Sequence, residues 1–175
     1  MPPAIEITAA ALEEAAVVAE ILCEAARWLE EKGEPMWRQG ELQPDAVAAD
    51  VAAGQFFLAR SAGEAAGTVK FQLEDALFWP DAPDPGAAYI HRLAVRRFFA
   101  GTGVSTAIFA WAAERTRGLG RRFLRLDCDA LRPRLRAVYE AFGFAHHSDR
   151  RVGPYLVARY QYDVTKIPGA APRTA

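Results

Sequence analysis

The chain carries only two cysteines, Cys23 and Cys128, far apart in the sequence. That number and spacing give neither a disulfide framework nor a zinc site. The three histidines, His91, His146 and His147, show no metal-ligand spacing either, so no metal is expected. Long apolar runs are missing too. None reaches the roughly 18 residues of a membrane span, so no membrane association is expected. The first residues lack a basic region followed by an apolar stretch, so no signal peptide is expected. A reducing cytoplasm is the expected compartment. Internal repeats and linkers are absent. With a formal net charge of −1 and no recognised binding module, the domain is not expected to bind nucleic acid.

What is present describes an ordinary globular chain. Apolar residues make up 51% of the 175 and charged residues 25%, enough for one real core. A single domain is expected over residues 1–164. Residues 165–175, with Pro168, Gly169 and Pro172, read as a frayed tail. The near-zero charge hides a split. Residues 1–88 hold 16 acidic and 5 basic side chains, whereas residues 89–175 hold 6 acidic and 16 basic. One reading is that the halves attract each other within one fold. The other is a polyanionic ligand on the arginine-rich half and a cationic substrate facing the acidic one. Arginine suits phosphate because its planar fork donates paired hydrogen bonds.

Periodicity and breakers predict the elements. Residues 5–7 read as a strand and 12–31 as a helix, with Val18, Ile21, Leu22, Ala25, Trp28 and Leu29 on one face. Gly33 and Pro35 end it. A second helix runs over 44–53, opened by Pro44. Strands 56–60 and 67–73 form a hairpin, and 81–86 is a loop. Strand 89–95 is central. A helix from 104, ending at Gly118 or Gly120, buries Val104, Ala107, Ile108, Trp111 and Ala112. Strand 123–127, helix 134–142 and two final strands, from 144 and over 155–163, complete the chain. The order β-α-α-β-β-β-α-β-α-β-β predicts an α/β (α+β) fold, one mixed sheet with helices on both faces.

Residues 89–111 carry the strongest signal. The strand Tyr89-Ile90-His91-Arg92-Leu93-Ala94-Val95 leads through Ala100-Gly101-Thr102-Gly103 into the helix that starts Val104-Ser105-Thr106. The first N–H groups of such a helix lack intrahelical acceptors and carry the positive end of the dipole, which makes an anion site. Glycines at 101 and 103 allow a ligand to approach the backbone. A dinucleotide loop would need glycine where Thr106 stands, and a Walker A loop would need Gly-Lys-Ser/Thr, so neither fits.

Leu93-Ala94-Val95, the glycine loop and Tyr139-Glu140-Ala141-Phe142-Gly143-Phe144 together resemble the GNAT superfamily of acetyl-CoA-dependent N-acyltransferases, in order and spacing. The resemblance implies a GNAT-like, mostly antiparallel sheet of six to seven strands. It implies acetyl-CoA as cosubstrate, no metal, and direct transfer of the acetyl group to a primary amine of a small molecule or peptide. A homodimer is common in the family. The other reading is a non-catalytic module of the same fold that binds CoA or senses a ligand.

In this family the main chain at Leu93, Ala94 and Val95 meets the pantetheine arm and the thioester. The loop Ala100, Gly101, Thr102, Gly103, Val104, Ser105 and Thr106 wraps the pyrophosphate. Tyr139 protonates the departing sulfur, although its place on the apolar face of its helix equally fits a core tyrosine. His91 stands where members of the family place a base. An imidazole has an ordinary pKa near 6.5, suited to that task, and packing within the sheet is the alternative. Strand alternation puts Tyr89, His91, Leu93 and Val95 on one face. Three positions depart from the pattern. Ala100 replaces a basic residue or glutamine, Ser105 a glycine or alanine, and Arg132 an asparagine. Arg96, Arg97 and Arg132 are candidates to supply the missing phosphate contact. The acceptor site is expected to draw on Trp37, Trp79 and Tyr155, with Glu34, Met36, Glu41 and Phe78 nearby. There, carboxylates and aromatic faces would hold a cation. Cys128 is expected to be structural.

Overall fold

The computed structural model describes residues 4–166. Its elements are β1 (Ile5–Ala9), α1 (Ala15–Glu31), α2 (Pro44–Ala52), β2 (Phe56–Ser61), β3 (Glu64–Gln72), β4 (Ala87–Val95), α3 (Val104–Gly118), β5 (Phe123–Asp129), α4 (Pro133–Phe142), β6 (Ala145–Val152) and β7 (Tyr155–Asp163). Seven strands form one sheet in the order β1-β2-β3-β4-β5-β7-β6. β4 and β5 run parallel; β1 with β2, β2 with β3, β5 with β7 and β6 with β7 run antiparallel. The parallel ladder joins Ala87–Tyr89 to residues 123–125, while β4 itself runs on to Val95. Among the described residues no helix is long and apolar enough to cross a membrane.

The chain divides into two compact units. The first comprises residues 4–72 and Ile90–Trp111. Its core gathers Val18, Ile21 and Leu22 of α1, Val47 and Val51 of α2, Phe56 and Leu58 of β2, and Ala94 of β4. These are the positions at which helical and strand spacing put apolar residues on one side. Pro44 opens α2 at a position where its missing N–H costs nothing. Gly67 of β3 has a specific reason to be glycine. A Cβ there would stand 2.9 Å from the Ala94 carbonyl oxygen and 3.1 Å from Val104 Cγ1. Its absence lets β3 lie close against the end of β4 and the first turn of α3.

The second unit comprises Leu73–Tyr89 and residues 112–166. Its centre is Trp79, 1% exposed, packed with Ala87, Tyr89 and Phe123. The guanidinium carbons of Arg125 and Arg159 lie 4.5 and 4.8 Å from the Trp79 ring centroid. Both arginines are buried, and both are paired. Arg159 donates to Asp81 at 2.6 and 3.1 Å, and Arg125 donates to Gln161 Oε1 and the Ala82 carbonyl at 2.8 Å each. Cations from β5 and β7 thereby tie down the segment between β3 and β4.

Several expectations need correction. Residues 12–14 form a 3-10 turn, and the α-helix starts at Ala15. Ala107 and Trp111 of α3 are only half-buried, while Phe109 and Ala113 are buried. Trp111 instead stacks against Phe57 and Phe71. Strand alternation does not hold along β4, because Arg92 has φ +51°. A left-handed residue breaks the period of two, and His91, Arg92 and Leu93 are all half-buried. The single face assigned to Tyr89, His91, Leu93 and Val95 therefore does not exist. Thr165 and Lys166, placed in the tail, belong to a 3-10 turn over Val164–Lys166, and Thr165 bonds Asp163 through its N–H and hydroxyl. The rest of the expected tail, 167–175, lies outside the described residues.

Candidate active site

The glycine loop is built from both ends. A 3-10 turn, Arg97–Phe99, follows β4. Within it Phe99 N–H donates to the Arg96 carbonyl at 2.9 Å, and Ala100 N–H to the Arg97 carbonyl at 3.1 Å. The Thr102 hydroxyl donates to the Phe99 carbonyl at 2.7 Å. Gly101 and Gly103 take φ of +77° and +90°, the left-handed region that only glycine adopts without strain. A Cβ at either would meet nothing within 4 Å, so the space in front of both backbones is open. The opening hydrogen bond of α3 runs from Ala107 N–H to the Gly103 carbonyl at 2.9 Å. The N–H groups of Val104, Ser105 and Thr106 therefore have no acceptor in their own helix, and the dipole adds positive potential there. A helix start of this kind has the donors and the potential to take an anion.

Leu93 and Val95 are half-buried and Ala94 is buried. Just before them, Arg92 turns left-handed and reaches Glu41, its Nη1 donating to the Glu41 carbonyl at 3.4 Å, with Nη2 3.6 Å from Oε2. The Arg92 guanidinium also lies 6.0 Å from the half-buried Trp37 ring. His91 sits half-buried on the same strand.

Tyr139 lies on α4, its ring 5.9 Å from Tyr160 and 6.2 Å from Phe144. Burial, reinforced by Cys128, Asp127 and Tyr160, pushes its pKa well above the ordinary tyrosine value. It is a proton donor throughout the physiological range. Cys128 is pushed up to about 12, first by burial and then by Asp127. A thiol held protonated is no nucleophile, which agrees with a structural role. The neighbouring Tyr160 hydroxyl donates to Glu140 at 2.7 Å and accepts from Arg136 at 2.8 Å.

The arginines that are candidates for the contact missing at Ala100 each have a protein partner. Arg96 is held by Glu20 and Glu24 of α1, and the Arg97 guanidinium lies 3.8 Å from the Trp28 ring. Arg132 caps α4 and pairs with Asp129 at 3.4 Å. Tyr155, the first residue of β7, is 51% exposed. Trp79 is inside the packing of the second unit, with cations already over its ring, and has no surface to offer a ligand. Trp79 is a packing residue of this unit rather than part of an acceptor surface. His146 and His147 belong to β6, His146 bonded to Asp149 and His147 to Ser148. Sequence reasoning missed Glu20 and Glu24. Their signal was a like-charged i,i+4 pair on one helix, which needs a cation between its members.

The element order and the seven-stranded, mostly antiparallel sheet give the chain the fold class of the acetyltransferases. The chain belongs to the acetyltransferase (GNAT) family, whose profile matches residues 18–144. It is an acyltransferase of the N-acetyltransferase type. It is 28% identical over 142 residues to an uncharacterised N-acetyltransferase of Bacillus subtilis, YesJ, covering 77% of this chain and 78% of that protein. A GNAT-family acetyltransferase of Listeria monocytogenes shares the fold at a TM-score of 0.74 with 22% identity, over 91% of this chain and 94% of the other. The PaiA N-acetyltransferase of Thermoplasma acidophilum, solved with coenzyme A, shares it at a TM-score of 0.71 with 14% identity, over 91% and 99%.

Proposed function

We propose that the chain transfers the acetyl group of acetyl-CoA to a primary amine of a small molecule or peptide, by direct attack in a ternary complex. The observation that carries this reading is the open cradle at the start of α3, where left-handed Gly101 and Gly103 precede three N–H groups without helical acceptors. The complex of PaiA with coenzyme A supports the choice of ligand.

Each residue then has a task. The loop from Ala100 to Thr106 holds the pyrophosphate through main-chain donors, so the small side chain at Ala100 is tolerated. Main-chain groups of Leu93, Ala94 and Val95 hold the pantetheine arm. An N–H of this strand steadies the oxygen of the carbonyl as negative charge develops. His91 accepts the proton that the substrate ammonium must lose. The amine nitrogen bonds to the acetyl carbon and the carbon–sulfur bond breaks; Tyr139 gives its proton to the sulfur, and the second proton lost from nitrogen returns to the Tyr139 oxygen by way of solvent. The raised pKa keeps Tyr139 protonated at rest but makes it a weaker acid, so the role rests on the place of Tyr139 in the family motif. Trp37 and Tyr155 offer aromatic surface to the acceptor. Arg132 acts on the cosubstrate through its place at the N-terminus of α4.

The test is thiol release from acetyl-CoA across a panel of polyamines, aminoglycosides, amino acids and peptides. Turnover with one amine class, and none without amine, is the expected result. Tight binding of CoA with no thiol release on any member of the panel would overturn the catalytic reading.

A further inference from the structure

We infer that Glu24 of α1 is a positioning residue of the acyl-transfer site, clamping the chain between β4 and the glycine loop so that the loop stands ready for an anion; the inference rests on the cosubstrate site proposed above. Its carboxylate joins two consecutive residues. Oε1 accepts from the backbone N–H of Arg97 at 2.7 Å, and Oε2 accepts from Arg96 Nη1 at 3.0 Å. The Arg96 guanidinium is fixed further by Glu20 at 3.2 Å and by the Ala65 carbonyl at 3.1 Å, and the Arg96 backbone N–H donates to the Ala66 carbonyl at 2.8 Å. The Arg97 guanidinium lies over Trp28. Glu20, Glu24 and Trp28 are successive i,i+4 positions, so one stripe of α1 holds both arginines.

The need for such a clamp follows from the loop's composition. Ala100, Gly101 and Gly103 have no polar side chains to hold their own conformation, and two glycines raise the entropy lost on ordering. The Thr102 hydroxyl holds the loop from within, through the Phe99 carbonyl, and the flank adds a second hold from outside. Glu24 supplies it at the first residue of the 3-10 turn that leads into the loop. The two arginines thereby become fasteners rather than phosphate ligands, which explains how the loop works with alanine at position 100. Glu24 is not a core residue. It lines an open groove of about 470 Å³ together with Glu20, Cys23, Arg27, Gln43 and Arg96, and its side chain is 32% exposed. Removing it leaves the packing of α1 intact.

Glu24→Ala and Glu24→Gln are compared with the parent by calorimetry with CoA, by steady-state kinetics, and by hydrogen exchange of the ligand-free protein. Loss of a hydrogen bond to a charged group is expected to weaken CoA about tenfold in Glu24→Ala, raising KM for acetyl-CoA far more than it lowers kcat and leaving KM for the amine in place. Exchange should rise over residues 96–106 alone. Glu24→Gln keeps an oxygen for the Arg97 N–H and should restore most of the affinity and the protection. Unchanged affinity and exchange in Glu24→Ala overturns the clamp. Equal loss in both variants, with exchange raised throughout the chain, also overturns it, because that pattern is general destabilisation. If the parent fails to bind CoA, the proposed function falls, while the exchange data still decide whether Glu24 holds the loop.

Discussion

Tyr139 and Cys128 are neighbours in electrostatics, and burial keeps the proton on both. For the cysteine that means silence. For the tyrosine it means a phenol that keeps its proton as pH rises. A raised pKa places loss of the proton above the ordinary tyrosine value near 10, so activity should not fall on the alkaline side from ionisation of this group. Tyr139→Phe should lower kcat on the order of a hundredfold or more, the scale of a lost general acid, with CoA affinity nearly unchanged. Turnover equal to the parent's would take Tyr139 out of the mechanism. Gly103 shows how a backbone angle can matter without any crowding. No protein atom lies within 4 Å of where its Cβ would stand, so the strain comes from φ +90° alone. Gly103→Ala should cost about 1–2 kcal/mol in chemical denaturation. Gly103→Asp adds a negative charge at the cradle and should abolish CoA binding. Normal CoA affinity in that variant would mean that the anion goes elsewhere.

Among the elements, α1 does more than cover the sheet. Its inner face joins the core, while Glu20, Glu24 and Trp28 grip the chain that leads to the loop. The segment between β3 and β4 is secured differently, by Asp81 against Arg159 and Arg150. The Arg159 hydrogen bond, above all, lowers the Asp81 pKa from 3.8 to about 2. A carboxyl with a depressed folded pKa stabilises the fold above its unfolded pKa and loses that contribution as pH falls through the folded value. Asp81→Asn should therefore melt below the parent near neutrality, and the gap should close as pH falls from about 4 to about 2. Melting curves across that range provide the check; a gap that stays constant would show that the ion pair does not set it.

At the scale of the whole molecule, the acidic and basic halves of the sequence meet in specific pairs. Glu20 and Glu24 meet Arg96, Glu41 meets Arg92, Asp81 meets Arg150 and Arg159, and Asp84 meets Arg125. These pairs take up five of the 16 acidic side chains of residues 1–88 and five of the 16 basic ones of residues 89–175, so part of the charge split is absorbed within the fold, and the proposed site at α3 relies on main-chain donors and the helix dipole. If the ligand binds only the folded chain, CoA at about a hundred times its dissociation constant should add roughly 2.7 kcal/mol of stability and raise the melting temperature in a saturable way. Gly103→Asp should show no such rise. A rise of equal size in both proteins would place the binding outside the loop.

The sequence alone determined the element order, the family and the glycine loop with its helix start. Those features are local: spacing of apolar residues, breakers, and glycines at fixed offsets before a helix. It also pointed to Tyr139, through a motif rather than through its surroundings. Only the tertiary structure decided which partners the arginines take, because residues distant in the chain meet only after folding. Arg96 finds Glu20 and Glu24, and Trp79 disappears between Arg125 and Arg159. The left-handed turn at Arg92, which breaks the alternation of β4, had no glycine to announce it. Periodicity reports which face a residue prefers, but charge pairing and backbone strain depend on what the rest of the chain brings alongside.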